Sequence, residues 1–175
     1  MKNDFFKNFL NDLKVELMDE FDRNFERKAF FDQPWPKERM PNRRGSLMMR
    51  TGALRRSIRA TASGQVIRFT SSLPYATIHN EGGDITVTPA MKRFFWAMYY
   101  KSSGAASKAR GQSKGRFSSE SEWWKTLALK KAGSKIRIEQ RQFIGPHREV
   151  DQCVERVLQK SMKEFESFIY NTLKK

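Results

Sequence analysis

Cysteine occurs once in this 175-residue chain, as Cys153, and histidine only twice, as His79 and His147. A single thiol makes no intrachain disulfide, which fits a reducing cytoplasm. Its neighbours Val154 and Val157 suit a buried structural thiol. No apolar run approaches the roughly 18 residues of a membrane-spanning helix. The opening MKNDFFKNFLNDLK places acids and asparagines inside any would-be signal core, so no secretory signal is expected. There is no P-loop, dinucleotide-binding glycine fingerprint, zinc-ligand cluster or nucleophile elbow. His79 and Glu81 alternate on a segment read as extended. With His147 they offer two imidazoles and one carboxylate scattered along the chain, a poor basis for a metal or hydrolytic centre. No catalytic residue, metal ligand or cofactor is therefore expected. His79 reads as a hydrogen-bonded imidazole at a strand end, and His147 as a helix cap or surface residue.

What the chain has in quantity is positive charge, +15 overall, and it is unevenly placed. Residues 91–148 carry 14 basic and 3 acidic side chains, whereas residues 149–175 are balanced at 5 and 5. Such a concentration suits contact with a polyanion, or a solvated lysine-rich insertion.

The apolar pattern predicts a long first helix over residues 4–29. Phe5, Phe9, Leu13, Leu17, Phe21 and Phe25 recur every fourth residue. A four-residue step drifts about 40° around a helix, so the stripe wraps about 200° and exceeds what one flat partner covers. Three prolines then break the chain, with Trp35 as an aromatic anchor in the loop. TGALRRSI reads as a short helix with Thr51 as its N-cap. SIRATA and QVIRFTSS read as a hairpin turning at Ser63-Gly64, with Ile67 and Phe69 on one face. PYATIH is read as extended, turning at Gly82-Gly83, and DITVTP as a further strand. Residues 90–135 form a basic insertion: a short aromatic helix, a small-residue stretch over 101–119 expected to be mobile, and a second helix ending near Gly133. An extended segment at Ile136 and Ile138 precedes the last helix, 148–173, whose stripe runs through Val150, Val154, Val157, Leu158, Phe165, Phe168, Ile169 and Leu173. The fold class is α+β: one domain over 1–175 with a small antiparallel sheet flanked by long N- and C-terminal helices.

Three stretches in order, LMMRTGALRRSIR (47–59), LPYATIHNEGGDI (73–85) and RQFIGPHREV (141–150), carry a resemblance. They resemble the virion-morphogenesis, or tail-completion, proteins of tailed bacteriophages. The first motif falls on Thr51, Gly52, Leu54, Ser57 and Ile58, with Met48 in place of an opening leucine. The second falls on Tyr75, Ala76, Ile78, His79 and Gly82 or Gly83. The third falls on Arg141, Phe143, Ile144 and Gly145, with Glu139 and Gln140 where the family pattern has proline-alanine.

The resemblance implies a structural protein of the head–tail junction or tail end, made in the host bacterial cytoplasm and joined to connector and tail proteins, without catalysis. It implies a homo-oligomeric ring, formed by the isolated subunits or only on a connector template. The surplus apolar stripe of the first helix, including Phe9 and Leu17, is expected at the subunit contact. Lys108, Arg110, Lys114 and Arg116 are expected to face DNA passing through the assembly. The competing reading is a basic nucleic-acid-binding module using the aromatic, lysine and arginine residues of 91–131.

Overall fold

The computed structural model describes residues 2–38, 45–108 and 110–174. The first helix, α1 (Lys2–Arg27), follows from the four-residue spacing, and Leu10, Leu13, Leu17, Phe21 and Phe25 are buried along it. Two short strands follow, β1 (Ala29–Phe30) and β2 (Gln33–Pro34), paired antiparallel. A one-turn helix α2 (Ala53–Ser57) leads into the hairpin of β3 (Ile58–Ser63) and β4 (Val66–Ser71). Ser63 pairs with Val66, so Gly64 and Gln65 make the turn, one residue later than the sequence suggests. On the inner face Ala60 lies opposite Phe69 and Ala62 opposite Ile67, while Val66 and Arg68 point to solvent. This period-two division is the one the sequence predicts.

A short helix α3 (Ala76–Glu81) precedes β5 (Gly83–Thr86). Then come α4 (Pro89–Lys108), α5 (Gly111–Ala128), β6 (Lys135–Ile138) and the long last helix α6 (Arg148–Leu173). The class is α+β with long terminal helices, as expected. The single small sheet is instead three separate two-stranded antiparallel ribbons. The reason lies in the insertion. Its ends are β5 and β6, and these pair with each other, Gly83 opposite Ile138 and Thr86 opposite Lys135. The ribbon extends through the Val87 amide to the Ser134 carbonyl, 2.8 Å. The small-residue stretch over 101–119, expected to be mobile, lies largely in the helices α4 and α5.

The chain forms two compact units. The first comprises described residues 2–37, 45–81 and 140–174, the second described residues 38 and 82–139. In the first unit α1 packs against α6 and against the inner face of β3–β4. Its core joins Leu13, Leu17, Phe21, Phe30, Phe31, Cys153 and Val157, and Phe21 meets Phe69 edge-on at 5.0 Å. Cys153 is fully buried, and that burial pushes its thiol pKa up, which leaves it a poor nucleophile. In the second unit α4 and α5 pack together, with Phe95 stacked on Trp124 at 6.0 Å.

Candidate assembly site

The first motif opens at Thr51 and Gly52. Gly52 takes the N-cap place of α2 with φ of 68°, the left-handed region that a side chain strains to adopt. Thr51, expected as the cap, stands one residue earlier, where its Oγ1 accepts from the Ala53 amide at 3.3 Å. Leu54 and Ile58 point inward and are buried. Arg55 turns outward to α1, donating to both carboxylate oxygens of Asp22 and to Glu26 at 2.7 Å. The hydrogen bonds to Asp22 and then Glu26 raise the guanidinium pKa further above its already high ordinary value.

The second motif is helical rather than extended. Pro74 stands at the entry to the turn, where its missing N–H removes no helix bond, and the Ala76 amide reaches the Leu73 carbonyl at 3.1 Å. Ala76 is buried, Tyr75 is 41% exposed, and Gly82 ends the turn with φ of 72°. The TIHN stretch resembles a strand because threonine and isoleucine favour one, but the Leu73–Ala76 turn and the glycine exit decide otherwise. His79 is half-buried beneath the Tyr75 ring, 5.9 Å away. The expected hydrogen bond is absent at its Nδ1, which is buried without a partner. Burial, and secondarily the charge of Arg141, pull its pKa below the ordinary histidine value.

The third motif bonds to the second and to the Trp35 loop. The Arg141 amide donates to the His79 carbonyl at 2.8 Å. Asn80 Oδ1 then accepts from two successive amides, Phe143 at 2.9 Å and Ile144 at 3.0 Å. The Arg141 guanidinium donates to the carbonyls of Pro36 and Lys37 at 3.0 and 3.2 Å. Trp35 Nε1 donates to the Gln142 carbonyl at 2.6 Å, so the tryptophan pins its loop as the sequence suggests. Phe143 is buried against Phe25, 5.2 Å between rings, and Phe25 meets Trp35 at 5.6 Å. Gly145 follows, and His147 caps α6 by accepting from the Glu149 amide at 3.2 Å while its ring stacks on Phe31.

Thr51, Gly52, Leu54, Tyr75, His79, Gly82, Arg141, Phe143 and Gly145 thus belong to three segments whose buried members share one cluster with Phe25 and Trp35. Two asparagines were missed. Asn24, fully buried, donates to the Phe143 carbonyl at 3.2 Å and accepts from the Phe31 amide at 2.9 Å. Its signal was a polar residue within the apolar stripe, between Phe21 and Phe25. Asn80 carried no signal beyond its place just ahead of Gly82-Gly83.

Phe9 and Leu17, expected at a subunit contact, are 9% and 5% exposed in the chain's own core. The expectation of surplus apolar surface on α1 needs correction: α6 and the hairpin cover most of that stripe, and the exposed Val15 and Phe6 lie off it. The surplus lies on α6. Leu158, Met162, Phe168, Ile169, Tyr170 and Leu173 are 39–81% exposed. Phe5 of α1 meets Phe165 at 5.1 Å, and α6 runs eight residues further, about 12 Å.

Lys108 ends α4, Arg110 stands at the N-cap of α5, and Lys114 lies one turn in; all three are exposed. Arg116 is in α5, its side chain outside those described. Among the described residues no group of three or more His, Cys, Asp or Glu side chains is placed to hold a metal ion, and no helix is long and apolar enough to cross a membrane.

Comparison with curated proteins finds no match, and comparison with solved structures finds none. Comparison with protein families does: the family described as phage virion morphogenesis matches residues 7–163, spanning all three motifs and most of both terminal helices. The chain belongs to the phage virion morphogenesis family.

Proposed function

We propose that this protein is a non-catalytic assembly component of the phage head–tail junction or tail end, acting as a ring through protein–protein contacts. Membership of a virion morphogenesis family supports a structural role in phage assembly. The observation that carries the finer reading is the exposed apolar end of α6, where Phe168, Ile169, Tyr170 and Leu173 stand 41–81% exposed on consecutive turns. Isolated exposed apolar residues are ordinary, but a run of them along one helix end marks a contact surface. In a ring the same pair of patches repeats around the axis, so one contact type suffices. The connector or tail protein then meets the ring, and the inward-facing motifs serve as its rigid frame.

Complementation of a phage lacking this gene tests the reading. Phe168→Ser with Ile169→Ser leaves the packed core untouched and is expected to give a folded protein by circular dichroism. Unjoined heads and tails should accumulate in electron micrographs, and plaque yield should fall at least tenfold. Full yield from this folded variant rejects the α6 contact. Intact, fully joined particles without the protein at all reject the assembly role.

A further inference from the structure

Helix α4 contains no acidic residue in twenty. Arg93, Tyr100, Lys101 and Lys108 fall within about 100° of one another around it and are all exposed. Between them lie Ala97 and Gly104, also exposed, and a Cβ at Gly104 would meet nothing within 4 Å. The face is thus shallow along its middle and cationic along its length, about 22 Å from Arg93 to Lys108. Exposed Arg110 and Lys114 continue the charge where α5 begins.

We propose that this α4 face, with the start of α5, binds double-stranded DNA through its phosphates and without sequence preference. Charge decides for a polyanion. Arginine and lysine on a face without carboxylates attract phosphate, and the small residues let a backbone approach closely. The aromatic side chains decide against a single strand. Stacking of unpaired bases needs successive exposed rings on one platform. Phe95 is buried, Trp96 is half-buried and stacked on Tyr100 at 5.9 Å, and Phe94 meets Trp124 at 5.8 Å. The two exposed rings, Phe94 and Tyr100, stand about 120° apart around α4 and share no platform. The face reads phosphate, not bases.

Fluorescence anisotropy of the full-length protein with a labelled random-sequence duplex of about 24 base pairs tests this. Five cations reaching phosphate give a slope of log K against log salt of about −4.5, so affinity falls about 500-fold between 50 and 200 mM salt. Lys101→Gln with Lys108→Gln should move the slope to about −2.7 and the fall to about 40-fold. The same charge removal on α6, Lys160→Gln with Lys163→Gln, should leave both unchanged. An equal loss from the α6 pair overturns the proposal, as does an unaltered slope in the α4 pair with native circular dichroism. Tighter binding to a single strand, or to polyglutamate of equal charge, overturns the duplex assignment. The DNA titration and the phage complementation are independent, so either proposal survives the failure of the other.

Discussion

Replacing Asn24 by alanine removes a side chain that satisfies two backbone groups, the Phe31 amide and the Phe143 carbonyl. The Asn24 amide is fully buried, donating to the Phe143 carbonyl at 3.2 Å and accepting from the Phe31 amide at 2.9 Å. A buried backbone group left without its partner costs about 1–3 kcal/mol. Two such groups, softened by some local rearrangement, put the loss at about 2–5 kcal/mol. That is a large part of the roughly 5–15 kcal/mol by which domains are stable. With a urea dependence of about 2 kcal/mol/M, the unfolding midpoint should fall by about 1–2.5 M. The assay is urea denaturation followed by tryptophan fluorescence, since Trp35 lies in the same cluster. Asn8→Ala, at an exposed position of the same helix, controls for helix propensity and should shift stability by no more than about 0.5 kcal/mol. An Asn24→Ala variant as stable as Asn8→Ala refutes the reasoning, because the two backbone groups would then have other partners at no cost.

Leu17→Ala should cost about 2–5 kcal/mol in the same assay, as a large-to-small change in a packed core; a variant of parental stability that loses self-association would return α1 to the subunit contact. His79 brings a pH dependence whose sign is fixed by its depressed pKa. The unfolded chain takes up the proton first, so the neutral imidazole's contribution is whole above about pH 6.5 and is lost as the pH falls below it. Thermal unfolding at pH 7.5 and 5.5 should therefore show a larger drop for the parent than for His79→Gln; an equal or smaller drop in the parent contradicts the assignment. Limited trypsin digestion should cut first at Lys108 or Arg110, both exposed where α4 gives way to α5, and first cleavage within α1 would show the end of α4 to be the better protected element.

The long helices were legible because their apolar residues recur at helical spacing over many turns, a signal that survives local noise. The β3–β4 hairpin was legible for the same reason at period two. The short elements were not. Residues 76–81 have strand-like threonine and isoleucine, and the turn that makes them helical is opened by the short Leu73–Ala76 and Tyr75–His79 backbone bonds. In 104–119 the glycines and serines disfavour a helix by propensity, but α4 and α5 supply each other with a packed face through Phe95 and Trp124. The most instructive difference concerns α1. Its 200° stripe was correctly read as too wide for one flat partner, yet it has two partners in the same chain. The β3–β4 ribbon takes Phe21, and α6 contributes Cys153 and Val157 to the same core. A stripe's width counts the partners a helix needs; it does not say whether they belong to the same molecule.

The same distinction bears on what the motifs mean. Leu54, Ala76 and Phe143 carry the resemblance to the family, and each is buried in one cluster. Gly52, Gly82 and Asn80 serve the backbone around it, through positive φ or through the Phe143 and Ile144 amides. Residues of this kind specify a frame. Their recognition establishes the family and with it a role in virion morphogenesis, but a buried phenylalanine selects no partner. Partner choice has to be exercised by side chains that a partner can touch. The two proposals rest on exposed places of different chemistry among the described residues: an apolar run at the end of α6 and an acid-free cationic face on α4. An apolar helix end fits another protein, since its association is driven by removing apolar surface from water. A cationic helix face fits a polyanion, since its association is driven by counterion release. Salt separates the two by mechanism. Raising it from 50 to 200 mM should dissolve the α4 complex while leaving an α6 contact in place. A subunit contact that melts over the same salt range as DNA binding would mean that the cationic face, and not α6, joins the subunits.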